Sequence, residues 1–396
     1  MERKLGFIFD HSKCIICNAC VDACNKAYGG LNWRSLVVMP YEDTKTALSI
    51  ACNHCDNPVC MNVCPANAMA KNEMGIVRII EDNCIGCGFC TWACPYEALK
   101  MTPSGIMSKC HLCYNRIGSG LPYCVEACPT GALTFGWIEK GDANVNYLAP
   151  ENITEPRFVI KRPEKAETIK VETLHQKKEE NYIGLLAFTI ASEIALGYSI
   201  FKLPYWNLVG LILPLVSLLL SVNHAKRFDR FYRVIYNLKT SWLSREVLFS
   251  SISVLFYLIS FFNQLFYYPA VIFLGLGVLS SIMIYILKAR PSWYNPDTPV
   301  SFIGSIFTTS LPLLFYLTHE ISIIAALIVV LGVEIFTGYK KSRTRVILNA
   351  VSIVLSLLSI PLPFIILTDE IVNLVSEVSH RIQFYQKVIY YGLPKV

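Results

Sequence analysis

No cysteine occurs after residue 128, so the last two thirds of the chain can form neither a disulfide framework nor a thiolate metal site. Charge is scarce too. Charged residues make up 16% of the sequence, against roughly 25% in an ordinary soluble domain, and the deficit falls almost entirely after residue 181. The formal net charge of +6 is modest and unevenly placed, which argues against a nucleic-acid partner. The opening MERKLGFIFDHSKC has no basic segment followed by an apolar run and a cleavage site, and no twin-arginine pair. No export leader is therefore expected.

What the chain does contain is concentrated. All sixteen cysteines lie between Cys14 and Cys128, in four groups of four. Group one is Cys14, Cys17, Cys20 and Cys24; group two is Cys52, Cys55, Cys60 and Cys64. Group three is Cys84, Cys87, Cys90 and Cys94; group four is Cys110, Cys113, Cys124 and Cys128. Groups one and three have the spacing C-x2-C-x2-C-x3-C, and Pro65, Pro95 and Pro129 follow the last cysteine of the other runs or their repeat. This is the ligand run of bacterial-type ferredoxins, in which three close-set thiolates wrap one cube and the fourth ligates its neighbour. Four runs imply four 4Fe–4S clusters arranged as a wire. A disulfide scaffold suits small secreted domains instead. Zinc takes four ligands, usually as two separated pairs, and fits the triple run less well.

Residues 1–137 read as a cluster-binding domain. Short β-type segments at 6–9, 75–79 and 131–137 flank the cysteine loops, with Gly75 and Gly131 as turn residues. A cysteine run, a proline, small residues and an apolar strand recur, which implies pseudo-symmetric ferredoxin units. Metal capture would supply much of the stability. Residues 138–180 are polar, with prolines at 150, 156 and 163 and the run KRPEKAETIKVETLHQKKEE; they read as a solvated linker or strap. His11, His54 and His111 adjoin cysteines and read as tuning or surface residues.

The stretches CNHCDNPVCMNVCP, CIGCGFCTWACPYEA and KCHLCYNRIGSGLPYCVEACPTGAL, with the opening FDHSKCIICNACVDAC and the later NWR, resemble the iron–sulfur subunit of the dimethyl sulfoxide reductase group of molybdoenzymes. The segment ITEPRFVIKRP resembles that family's closing strap. Ile16 stands where a glycine is common, so a slightly altered loop is expected. The resemblance implies crossed ligand sets: Cys14, Cys17, Cys20 with Cys128; Cys110, Cys113, Cys124 with Cys24; Cys52, Cys55, Cys60 with Cys94; and Cys84, Cys87, Cys90 with Cys64.

From residue 181 the sequence changes solvent. Apolar stretches at about 182–201, 206–222, 246–267, 270–287, 299–318, 321–338 and 346–367 each approach the ~20 residues that span a bilayer. An amphipathic segment at about 370–391 reads as an eighth span or an interfacial helix. Aromatic residues such as Tyr205, Trp206, Trp242, Tyr267 and Trp293 sit at the ends, as an interfacial belt would. Basic residues crowd the loops on the cluster side (Lys226 to Arg245, Lys288 and Arg290, Lys340 to Arg345), while the opposite loops offer Lys202 against Glu320, Asp369 and Glu370. The positive-inside rule places the clusters in the cytoplasm.

The stretch HAKRFDRFYRVIYNLKTSWLSREVL, RPSWYNPDTPVSFIG at 290–304 and Glu377, Arg381, Phe384 and Tyr385 are similar to the membrane anchor subunit of the same reductases. Lys226 and Phe228 depart from its usual turn. The sequence thus resembles an iron–sulfur subunit fused to its anchor. Quinol oxidation releases protons with electrons, so His224, where the second span meets the cluster side, reads as the candidate proton acceptor or else as an interfacial histidine anchoring a helix end. Glu193, mid-span, reads either as a quinone partner or proton relay or as a protonated glutamate bonding a neighbouring helix. Arg227 and Arg230 read as carbonyl-positioning residues or topology signals, and Glu334 as an interfacial charge near Lys340 and Lys341.

These readings combine into a two-part fold: an N-terminal α+β ferredoxin-like domain (1–137), a polar strap (138–180) and an all-α transmembrane bundle of seven to eight helices (181–396). The expected function is the electron-transfer and quinol-oxidising subunit of an anaerobic respiratory reductase. It would take electrons from quinol or menaquinol in the lipid bilayer and deliver them to a separate molybdopterin subunit carrying molybdenum or tungsten. The alternatives are reverse flow from a dehydrogenase partner to quinone, a redox-linked proton- or ion-translocating module, and a structural anchor.

Overall fold

The computed structural model describes residues 3–179, 182–222 and 225–395. The cysteine-rich region runs β1 (Lys4–Asp10), α1 (Ala19–Ala27), β2 (Ser35–Tyr41), β3 (Thr44–Ile50), α2 (Val59–Asn62), β4 (Met69–Lys71), β5 (Val77–Ile79), α3 (Phe89–Ala93), β6 (Lys100–Met101), β7 (Met107–Ser108), α4 (Tyr123–Glu126) and β8 (Leu133–Ile138). First and last strands close on each other: β1 pairs antiparallel with β8, with Phe7 opposite Phe135. The hairpins β2–β3, β4–β5 and β6–β7 lie between cysteine loops. Beside the cysteines a hydrophobic core does form, from Leu5, Phe7, Phe9, Met39, Leu48 and Ile50.

The stretch expected as a solvated linker is folded. It forms β9 (Phe158–Lys161), parallel to β1, and β10 (Glu172–Lys177). β10 pairs antiparallel with the far C-terminal strand β11 (Val388–Lys395), placing His175 opposite Tyr390. Backbone groups of a buried strap need partners, and strands from both ends of the sequence supply them.

The helical region runs α5 (Tyr182–Ile200), α6 (Trp206–Ser221), α7 (Trp242–Ser260), α8 (Tyr267–Tyr285), α9 (Asp297–Thr308), α10 (Leu311–Thr318), α11 (Ile321–Gly338), α12 (Arg343–Leu358) and α13 (Ile365–Gln386). Among the described residues, five helical rods are long and apolar enough to cross a membrane; one of them joins α9 to α10. α6 is apolar but shorter, and α12 and α13 carry buried polar residues along their length. The stretch at 346–367 is divided by a turn at Pro361 and Pro363. The segment at 370–391 is split between α13 and β11.

The helices alternate in direction, so one end of the region meets the cysteine loops and the other lies away from them. At the far end Tyr257 donates to the Ser199 hydroxyl (2.6 Å) and Tyr267 to the Ser199 carbonyl (2.7 Å). At the near end Glu179 of the strap pairs with Arg290 and accepts from the Trp92 indole at 3.1 Å.

Candidate metal centres

Local backbone geometry explains the cysteine spacing. In the first C-x-x-C turn of each group the second intervening residue is left-handed: Ile16 (φ 58°), His54 (44°), Gly86 (66°) and Leu112 (58°). Ile16 therefore occupies the same turn as Gly86, so the loop is unaltered and the isoleucine carries some backbone strain. Gly86 is constrained by more than its φ, because a side chain there would collide with the Gly105 carbonyl and approach Lys226 to 3.0 Å. A second repeat follows the last cysteine of groups two, three and four. Asn67, Glu97 and Gly131 are left-handed, and the turn aims N–H groups back at the sulfurs, as from Ala68 to Cys64 Sγ (3.3 Å) and from Leu133 to Cys128 Sγ (3.4 Å). Such bonds favour thiolate over thiol and tune cluster potentials.

The cysteines converge in crossed sets. Cys14, Cys17, Cys20 and Cys128 line one pocket. Cys52, Cys55, Cys60 and Cys94 line a second. Cys64, Cys84, Cys87 and Cys90 line a third. Cys24, Cys110, Cys113 and Cys124 gather around the buried Arg34. Among the described residues no three cysteine, histidine or carboxylate groups converge on a single-ion point; the sulfurs surround cluster-sized spaces. Burial pushes the Cys94 thiol up to about 11 and Cys87 up to about 12, so thiolates there require adjacent metal charge. This donor set fits iron–sulfur cubes.

The sets form a line, in the order of those holding Cys14, Cys24, Cys52 and Cys64. Arg34 donates to Ser49 (3.0 Å), which touches Cys20 Sγ (3.2 Å), joining the first two sets. Lys109, also buried, donates to Cys52 Sγ (3.3 Å) and the Cys110 carbonyl (3.0 Å), joining the second and third. Cys60 and Cys90 are neighbours across the third and fourth. Sequence reasoning passed over both cations; nothing in the spacing of a lysine or arginine reveals that it is buried between sulfurs.

The fourth set abuts the helices. Residues 225–244 clamp its loops: Asn237 donates to the Cys64 carbonyl (2.8 Å), Arg233 to Asn83 (2.7 Å) and Arg230 to the Glu81 carbonyl (2.8 Å). Arg227 pairs with Asp229 (2.8 Å). A narrow pocket lies beyond, walled by Ile85, Cys87, Phe231, Leu243, Glu246 and Tyr285. Glu246, buried near the start of α7, was overlooked because one carboxylate at a helix start reads as ordinary.

The other expected residues fall elsewhere. His224 lies outside the described residues. Glu193 is buried and gives both oxygens to Arg381 (3.0 and 2.9 Å). Glu334, expected at the interface, is 0% exposed and pairs with Arg345 at 2.8 Å. Of the histidines beside the cysteines, His11 and His54 are buried and His111 is half-buried. His11 is buried between Thr46 (3.0 Å) and Tyr147 (2.9 Å), and the ring of the buried His54 accepts from the Val77 N–H (3.0 Å). His111 is enclosed by Tyr28, Trp33 and Tyr114.

Residues 44–138 match a family model described as a 4Fe-4S dicluster domain. The B subunit of the anaerobic dimethyl sulfoxide reductase of Escherichia coli (strain K12) is 39% identical over 184 residues, 41% of this chain and 90% of that protein. The thiosulfate reductase electron transfer subunit PhsB of Salmonella typhi is 35% identical over 154 residues, 36% of this chain and 80% of that protein. Protein NrfC of E. coli (strain K12) is 36% identical over 163 residues, 38% of this chain and 73% of that protein. With its cysteines in crossed sets and nine tenths of the reductase B subunit spanned, this protein belongs to the family of iron–sulfur electron-transfer subunits that includes the B subunit of anaerobic dimethyl sulfoxide reductase.

Proposed function

We propose that this protein oxidises quinol in the membrane and passes the electrons through four 4Fe–4S clusters to a separate molybdopterin catalytic subunit. When bound, the clusters supply one-electron relay sites. The protein's own residues hold them in the four crossed sets, space them with Arg34 and Lys109, and shield them with the strap. The observation that carries the reading is the pocket continuing the line of cysteine sets, mostly apolar, with Glu246, Ser221 and Tyr285 as its polar groups and Cys87 in its wall. Apolar pockets with a few converging polar groups are typical small-molecule sites.

Within this reading residues 3–179 carry the wire and residues 182–395 the membrane part, with up to eight crossings. Glu246 is a proton acceptor for quinol, together with His224, which follows the cavity residue Ser221 by three positions. Arg230 acts as a positioning residue through Glu81, and Glu193 acts through Arg381. The catalytic subunit docks at the opposite end of the line, where Cys17 is exposed and Ile15 is 62% exposed. The cluster side faces the cytoplasm. Arg230, Arg233 and Arg290 grip the cysteine-rich region, yet Lys239, Lys288, Lys340 and Arg343 still leave the positive excess on that side.

An EPR redox titration of membranes holding the protein tests this reading. Four cluster signals are expected, with one shifted by a quinone-site inhibitor and diminished in its response by Glu246→Gln. Four clusters indifferent to quinol and inhibitor would overturn it.

A further inference from the structure

We infer that α5, α9, α11, α12 and α13 enclose a proton path from the cavity beside Cys87 to the end of the helical region far from the clusters. The inference rests on the quinol reading above and assigns where the protons of that reaction leave.

One face of α13 carries Asp369, Asn373, Ser376, Glu377, His380 and Arg381, none more than 4% exposed. The spacing follows the helical period, and the twelve positions between its ends correspond to about 18 Å of helix. That is more than half of a ~30 Å hydrocarbon layer. On the other face, Ile371 and Val375 are exposed. α12 presents a matching row, with Arg345, Asn349, Ser352 and Ser356 all buried. Two buried polar rows on antiparallel helices make a continuous seam inside an otherwise apolar region.

The seam begins at the cavity. Tyr285, on the cavity wall, shares a 2.6 Å hydrogen bond with Tyr385. One turn along α13, Arg381 holds Glu193, and Ser305 of α9 donates to Glu377 at 2.7 Å. Arg345 lies between Glu377 (3.4 Å) and Glu334 (2.8 Å). Asn349 donates to Glu334 (2.8 Å) and accepts from Ser376 (2.7 Å). At the far end Ser356 donates to Asp369 at 2.7 Å, and Glu370 is only half-buried.

Two features separate this seam from ordinary helix packing. The first is unmet polarity. Asn373, 1% exposed, has no hydrogen-bond partner for either amide atom among the described residues, and neither does one oxygen of Asp369. Buried groups with this much spare capacity are the ones that bind internal water, and they lie where the run of side chains would otherwise break. The second is charge. Glu193, Glu334 and Glu377 face two guanidiniums, Arg381 and Arg345; Asp297 beyond them is also held by Lys341 at 3.4 Å. Arginine keeps its proton, so the mobile proton is carried by the carboxylate in excess. Buried ionisable groups inside a membrane are costly and mark such relays.

In the step concerned, one quinol becomes quinone. Two O–H bonds break, two electrons reduce two oxidised iron–sulfur centres, and two protons enter the seam. The test uses the full chain in liposomes, cluster domain outward, with a pH-sensitive dye enclosed and a water-soluble menaquinol analogue added anaerobically. Cluster bleaching counts electrons and the dye counts protons. In the parent protein a lumenal proton is expected for each electron. Asn373→Leu and Asp369→Asn are expected to slow lumenal acidification by roughly a hundredfold, as loss of a proton-transfer group does, while Asp369→Glu restores it. Dithionite bleaching equal to that of the parent reports that each variant is folded. Protons appearing outside, or undiminished lumenal release in folded Asn373→Leu, would overturn the path and leave quinol oxidation standing. No bleaching by the quinol would overturn both.

Discussion

In the cysteine-rich region Arg34 and Lys109 are buried with sulfurs, a hydroxyl and backbone carbonyls around them. In the helical region Arg345 and Arg381 are as deeply buried, and each holds a carboxylate. A buried charge without a counter-charge is among the costliest groups a fold can carry. The contrast therefore says what the first region expects as its anion: thiolate-bound clusters take the place that carboxylates take in the second. One half is completed by a cofactor, the other by pairs of side chains.

The comparison breaks most completely at the junction. Cys87→Ala removes a donor from the set nearest the helices; one EPR signal is expected to disappear, and quinol-driven reduction of the other three clusters with it. In the helical half, Arg381→Leu strands Glu193 and should cost about 3–5 kcal/mol. The double variant Glu193→Leu, Arg381→Leu should recover most of that in thermal unfolding of detergent-solubilised protein.

Lys109→Met sharpens the comparison from the other side. Removing a positive charge 3.3 Å from Cys52 Sγ should lower the potential of the cluster that sulfur would hold by on the order of 100 mV at an effective dielectric near 20, while Lys109→Arg leaves it nearly in place. Redox titration of the individual signals reads both.

Burial, against a smaller opposing pull from Asp10, holds His11 down at about 4. The folded protein then refuses a proton that the unfolded chain accepts below its ordinary value of about 6.5. Stability from this group is full above that value and is lost as pH falls toward 4. His11→Gln, which can keep the bonds to Thr46 and Tyr147, should flatten the decline between pH 6.5 and 5, worth up to about 2 kcal/mol. The smallest effect is Ile16→Gly. Relieving a left-handed isoleucine should raise the stability of the first loop by about 1 kcal/mol, seen as slower hydrogen exchange at residues 14–20.

Much of this protein was legible in one dimension because its strongest signals are local. A cube needs three thiolates within one tight loop, so C-x2-C-x2-C names its own ligand. The left-handed turns that make the loop possible recur at Ile16, His54, Gly86 and Leu112 whatever the side chain. Lipid favours apolar residues along a long run, which marked α5, α6, α8 and α11 nearly to their ends, while α7 begins and ends earlier than its apolar run. The resemblance to the reductase subunit supplied the crossed pairing.

Which distant groups meet is set by the packing of the whole chain. The strap stretch looks solvated because its partner strand, β11, lies at the other end of the sequence. Glu193 looks like a lone intramembrane acid until α13 brings Arg381 to it. Lys109 looks like a surface charge until two cysteine sets close around it, and Glu246 like a helix-start carboxylate until α8 and the Cys87 loop wall it in. Burial depends on everything packed around a residue, whereas spacing and hydropathy report only its neighbours in sequence. Ligand runs and apolar runs could therefore be read directly, and the paired charges within the helical region became visible only in three dimensions.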